Sequence, residues 1–96
     1  VGGATADAVG RRLKTLADEG GQVLVVTHSP QVAALGAHHW QVAKSVEAGE
    51  TRTRVQPLGA QARVDEVARM ISGDRITEEA RAAAKALLEA GMFEKS

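Results

Sequence analysis

The chain has 96 residues, an apolar fraction of 44%, one Trp, one Phe, no Tyr and no Cys, which bounds it to one small domain or part of a larger one. Twelve basic residues balance twelve acidic ones, so a strongly basic nucleic-acid-binding module is disfavoured. Without cysteine there is neither a disulfide framework nor a Cys-based zinc site, which fits a cytosolic protein, and the longest apolar run, residues 23–26, is far too short to span a membrane.

The first residue is Val, not Met, and we expect the chain to begin inside a longer protein. Val1, Gly2 and Gly3 form a loop, and Thr5 or Asp7 can open a helix. Ala6, Val9, Leu13, Leu16 and Ala17 recur at helical spacing, which predicts a helix over 4–19, weakened by Gly10 and stopped by Gly20 and Gly21. Residues 22–27 read as a strand. The run Val23, Leu24, Val25, Val26 has no polar alternation, the pattern of a strand buried on both faces of a parallel sheet. Such a strand needs a neighbour, and a right-handed crossover through the preceding helix would place that neighbour ahead of Val1. Ser29 caps a short helix over 31–35, Pro30 suits its first turn and Gly36 ends it.

Residues 39–46 alternate, with Trp40, Val42 and Val46 on one face. Residues 51–58 alternate again, with Thr51, Thr53 and Val55 set against Arg52 and Arg54. With Ala48, Gly49 and Glu50 as the turn, this is a β-hairpin with one solvated face, the one bearing Arg52 and Arg54. Val64, Val67, Ala68 and Ile71 mark the next helical stripe, with Arg63, Asp65, Glu66 and Arg69 outside it. Ser72, Gly73 and Asp74 break that helix. Thr77 caps a last one, whose first turn holds Glu78 and Glu79 at the end that favours negative charge. There Ala80, Ala83, Ala84, Leu87 and Leu88 face inward, Gly91 ends the helix, and 92–96 form a frayed tail.

Chemistry is best sought at His28, directly after the apolar strand, where the end of an open α/β sheet commonly carries function. Its imidazole could donate a hydrogen bond to a phosphate or polarise a water; the plain alternative is a histidine that satisfies a loop carbonyl. His38 and His39 point to opposite faces of a strand and make a poor metal pair. Ser29 is better explained as a helix cap than as a nucleophile, Trp40 as core, and Asp7, Asp65, Glu66, Glu78, Glu79 and Glu89 as solvated helix carboxylates. No phosphate-binding G-x-x-x-x-G-K-[ST] loop and no G-x-G-x-x-G occurs.

Several stretches, in order, resemble one family. Val1 to Ala6 with Ala8, Val9 and Gly10 is similar to the segment after the Walker B acids in the RecN family, relatives of structural-maintenance-of-chromosomes (SMC) proteins. Val26-Thr27-His28-Ser29-Pro30-Gln31-Val32-Ala33 resembles that family's switch-histidine loop. His39-Trp40 to Lys44-Ser45, then Thr53-Arg54-Val55 with Leu58, then Glu66-Val67-Ala68-Arg69-Met70-Ile71-Ser72-Gly73 continue the likeness over nearly all of the chain. The resemblance implies an α/β fold in which residues 1–96 are the C-terminal portion of a P-loop NTPase head lobe of the ABC/SMC type. That portion would hold one buried parallel-type strand, a β-hairpin and flanking helices. It further implies a parent that hydrolyses ATP with Mg²⁺ and acts in repair and recombination of DNA double-strand breaks, in the cytoplasm with the nucleoid.

On that likeness His28 takes the position of the histidine that contacts the γ-phosphate or the attacking water, and Val1, Gly2 and Gly3 take the tail of the loop at the head-dimer interface. The implied partners are the upstream remainder of the head, a second identical head and, through the parent, DNA; no membrane is implied. The Walker A lysine, the signature motif and the Walker B acids are absent from the sequence. We therefore expect these residues alone to need no cofactor, to bind no ATP tightly and to hydrolyse none. The alternative is a non-catalytic interaction module that uses the hairpin and terminal helices. Direct nucleic-acid binding through Arg52 and Arg54 is disfavoured by the neutral charge.

Overall fold

The computed structural model describes residues 3–93. Helix α1 (Gly3–Asp18) leads to helix α2 (Pro30–Leu35), an antiparallel pair β1 (Trp40–Glu47) and β2 (Glu50–Pro57), and helices α3 (Ala60–Ser72) and α4 (Glu78–Phe93). The helices start where the capping chemistry places them. Ser29 Oγ accepts from Val32 N at 3.4 Å ahead of Pro30, and Thr77 Oγ1 accepts from Ala80 N at 3.0 Å. Each satisfies a backbone donor that the first helical turn leaves free.

The core lies between α3 and α4. Val67, Ala68, Ala80 and Ala84 are buried there, with Val64, Ile76, Leu87 and Leu88 packed around them. Small side chains on both helices let the backbones approach closely. α2 packs against α1, α3 and α4 and contributes buried Ala34. Six residues are too few to sustain a helix by their own hydrogen bonds, so α2 exists through these contacts. Two glycines make them possible. A Cβ on Gly10 in α1 would stand 2.7 Å from Leu35 Cδ1, and one on Gly91 in α4 would stand 2.6 Å from the carbonyl oxygen of Ala34.

In the hairpin, Val42 faces Val55 and Glu47 faces Glu50. Ala48 and Gly49 turn the chain with φ of 53° and 81°, the two positive values of the tight turn whose twist matches antiparallel strands. The strands pair with each other alone, and neither packs its backbone against a helix among the described residues.

Several expectations need correction. Residues 22–27 join no ladder: no second strand lies beside them among the described residues, so the run is not a buried strand. Leu24 and Val26 are 88% and 92% exposed. Apolar composition favours a sheet interior, but only a neighbour can satisfy the backbone and cover the side chains. Trp40 is not core: it lies with Val42, Val46 and Val55 on an uncovered hairpin face. The hairpin thus has two solvated faces, and the half-buried side chains, Gln41 and Ser45, belong to the face that carries Arg52 and Arg54.

Glu66 is buried rather than solvated, held by Gln41 Nε2 across the hairpin junction and by Arg69 Nε on its own helix. Ala83 is exposed. Gly91 does not end α4 but lies inside it, buried, because its contact with α2 requires a residue without a side chain. Of the expected tail, residues 92 and 93 continue α4 and residues 94–96 lie outside the described residues.

The total accessible surface is 6994 Å², whereas a folded monomer of 10.0 kDa exposes about 5,200 Å². Exposed Leu24, Val26, Trp40, Val42, Val46 and Val55 account for much of the apolar part of the surplus.

Candidate functional site

The site is built around the step from the unpaired apolar segment into α2. Thr27 Oγ1 accepts from Ser29 N at 2.9 Å, and Ser29 Oγ in turn contacts Gln31 Oε1 at 3.1 Å while capping α2. His28 sits inside this chain of local bonds. Its backbone is pinned on both sides, and its ring is exposed, with no partner among the described residues. Both ring nitrogens are therefore available, one as a donor and one as an acceptor in the neutral imidazole.

The far end of α2 is held from α3. Arg63 Nη2 donates to Ala33 O at 3.0 Å and to Gly36 O at 2.6 Å, taking up carbonyls at the end of a helix that has few bonds of its own. Burial lowers the pKa of Arg63 from its ordinary value, no carboxylate pairs with it among the described residues, and its Nε is buried without a partner. Sequence periodicity places Arg63 outside the apolar stripe and gives no sign of this role. A long cationic side chain one residue from a stripe reads the same whether it meets water or a neighbouring helix end.

His39 lies beside Arg63. Its carbonyl accepts from Leu58 N at 2.9 Å, closing the base of the hairpin just before β1 starts. Its Nδ1 is buried without a partner. Burial lowers the His39 pKa, the Arg63 charge lowers it further, and Glu66 pulls the other way. A histidine whose folded pKa lies below the unfolded value near 6.5 contributes stability that is present above that value. The contribution is lost as pH falls through the folded pKa. The melting temperature of the chain should therefore drop between pH 7.5 and 5.5, and His39→Gln should flatten that drop. A parallel decline in the variant would place the acid sensitivity elsewhere.

His38, His39, Trp40, Leu58, Arg63 and Gln22 border an open cleft of about 510 Å³. His28 does not line it, so the structure does not bring the two histidine groups together. Among the described residues no cluster of His, Asp or Glu could hold a metal ion, and no helix is long and apolar enough to cross a membrane. Of the residues placed at a dimer-interface loop, Val1 and Gly2 lie outside the described residues, and Gly3 is the first residue of α1.

This arrangement supplies one exposed imidazole on a fixed backbone beside an uncovered apolar segment, and no phosphate cradle. No family model matches the sequence, but individual relatives do. It is 48% identical over 89 residues to the DNA repair protein RecN of Xylella fastidiosa (strain Temecula1 / ATCC 700964), covering 93% of this chain and 16% of that protein. To RecN of Bacillus subtilis (strain 168) it is 42% identical over 89 residues, with 93% and 15% covered. To RecN of Deinococcus radiodurans it is 50% identical over 74 residues, with 77% and 13% covered.

The chain is a homologue of RecN.

It spans about 16% of the length of the RecN proteins it matches and corresponds to their C-terminal part. The likeness covers the whole stretch from the His28 loop through the Arg63 contact in its longer matches, which is where the described geometry is concentrated.

Proposed function

We propose that this chain is the C-terminal part of an ATP-hydrolysing RecN head that acts in repair and recombination of DNA double-strand breaks in the bacterial cytoplasm, at the nucleoid. One observation carries the reading. The His28 ring is exposed and has no partner among the described residues, the Thr27–Ser29 bond spans its backbone, and it follows an apolar segment whose Leu24 and Val26 are exposed. A histidine in that position, beside the sheet strand such a segment would become, can donate a hydrogen bond to a γ-phosphate oxygen or orient the attacking water.

The remaining parts of an ATP site are not among these residues. The phosphate loop is missing from the sequence, and among the described residues no group of three or more His, Asp or Glu is placed to hold a metal ion. The remainder of the head would supply both. In this reading the apolar segment 22–27 pairs with a strand of that remainder, Val1, Gly2 and Gly3 continue a loop at the interface with a second identical head, and DNA is held by the parent.

The test is reconstitution. The chain alone should show no ATP hydrolysis and no micromolar ATP affinity by calorimetry, and it should self-associate in light scattering through its uncovered apolar residues. Co-expression with the rest of a RecN head should give a soluble complex with ATPase activity. A monodisperse chain that binds ATP by itself would contradict the assignment.

The exposed face of Trp40, Val42, Val46 and Val55 favours a second reading, a non-catalytic interaction module. Both readings need a cover for that face, but only the first needs His28.

A further inference from the structure

We propose that Arg63 is a positioning residue for His28, acting through α2. The inference rests on the reading of His28 as the histidine that meets the γ-phosphate or its attacking water.

α2 is six residues long and is held at both ends by side chains. His28 precedes its first residue by two positions, locked to it through Ser29, which caps Val32 N and is itself bonded to Thr27. At the other end the only side chain among the described residues that takes up carbonyls is Arg63, whose Nη2 bridges Ala33 O and Gly36 O. The same Ala33 carbonyl accepts the closing bond from Gly36 N at 3.4 Å, a long bond that by itself would hold the helix end loosely. Arg63 thus fixes the axis of a rod about 9 Å long whose opposite tip carries the exposed imidazole. Both bonds leave the one nitrogen Nη2, which the planar guanidinium holds more rigidly than a flexible ammonium would be held.

A role in stability alone fits the surroundings of Arg63 poorly. The side chain is drawn partly out of water, has no carboxylate partner among the described residues, and leaves Nε unpaired. Burying an unpaired charge is costly, and a neutral amide could reach one of these carbonyls at lower cost. What a side chain without donors would not reproduce is the two-point hold on the end of α2. Misplacement of a reacting group by about 1 Å, caused far from the chemistry, can cost on the order of 100-fold in rate. Loosening α2 should have a smaller effect, because Ser29 and the glycine contacts with α1 and α4 remain.

The experiment uses a full-length RecN protein carrying this segment and measures kcat and KM for ATP in wild type, Arg63→Met, Arg63→Lys, His28→Ala and the Arg63→Met/His28→Ala double variant. The expected result is a fall of about 5- to 20-fold in kcat for Arg63→Met with KM within twofold, the pattern of a misplaced group rather than lost ATP binding. Partial recovery is expected in Arg63→Lys, which keeps the charge and a donor nitrogen but not the planar guanidinium, and no further loss when Arg63→Met is added to His28→Ala. Should Arg63→Met fail to fold, Arg63→Lys and its combination with His28→Ala carry the same comparison.

Two outcomes overturn the proposal while leaving the reading of His28 intact. In one, Arg63 variants keep wild-type kcat while His28→Ala loses it. In the other, the two losses multiply in the double variant, which means that Arg63 acts independently. An unchanged kcat in His28→Ala sinks the reading of His28, and the positioning role with it.

Discussion

Replacing His28 with alanine in a full-length RecN protein should lower ATP turnover by about 100-fold or more, with KM changed by no more than a few-fold. The size follows from the role. A side chain that positions or relays a proton in the transition state contributes on the order of 100- to 10,000-fold, and its loss appears in kcat when it contributes little to ground-state binding. The structure makes the experiment clean. The ring is exposed and makes no hydrogen bond among the described residues, so its removal breaks no hydrogen bond among them. A surface change of that kind shifts stability by less than about 0.5 kcal/mol, and a melting curve on the same preparation checks it. A loss of turnover therefore cannot be attributed to unfolding. His28→Gln, which keeps a donor but cannot take up a proton, separates the two chemistries. Substantial retained turnover points to a hydrogen bond to phosphate, and a loss equal to alanine's points to handling of the water's proton. Turnover unchanged in both variants would remove His28 from the site and leave the interaction-module reading.

The helices and the hairpin were legible in the sequence because the forces that make them are local. Ser29 and Thr77 announce helix starts through their own hydroxyls, and the alternation on either side of Ala48 and Gly49 requires paired strands. Residues 22–27 show the limit of local reading. Four consecutive apolar residues state a demand for cover, but no strand lies beside them among the described residues, and Leu24 and Val26 remain in water.

The same limit applies to the site. His28 was a candidate from its place after the apolar run, whereas the contacts of Arg63 were not legible, because its partners, Ala33 and Gly36, lie 30 and 27 residues away. Glu66 was misread for the same reason. On the helix it lies beside the apolar stripe, and only the packing of Gln41 against it from the hairpin explains why a carboxylate is buried there. Pattern gives the direction in which a side chain leaves its own helix; what it meets is a property of the assembled chain.

Gly91 offers the strongest test of that assembly. Gly91→Val should destabilise the chain by about 1–2 kcal/mol, a sizeable part of the roughly 5–10 kcal/mol expected for a domain of this size. Two effects compete. Removing a glycine from a helix interior gains about 1 kcal/mol or less in propensity. Against this, a Cβ at Gly91 would stand 2.6 Å from the carbonyl oxygen of Ala34 and 3.5 Å from the Cα of Leu35. These are backbone atoms of α2 and cannot rotate away, so α4 and α2 must separate, and forcing extra atoms into a packed contact costs about 1–3 kcal/mol. The clash offsets the propensity gain for alanine, and the additional branched methyls of valine bring a net loss.

Gly10 provides the contrast. The atom nearest a Cβ there is Leu35 Cδ1, at 2.7 Å, the far end of a side chain that can change rotamer. Gly10→Ala should therefore lie within about 1 kcal/mol of wild type, its propensity gain set against a small repacking cost. Urea denaturation followed by far-ultraviolet circular dichroism, at a chain concentration low enough to suppress association, gives both differences. Equal effects at the two glycines would mean that α4 does not press on the backbone of α2. The rigid seat that α2 gives His28 would then rest on Ser29, Arg63 and the packing against α1.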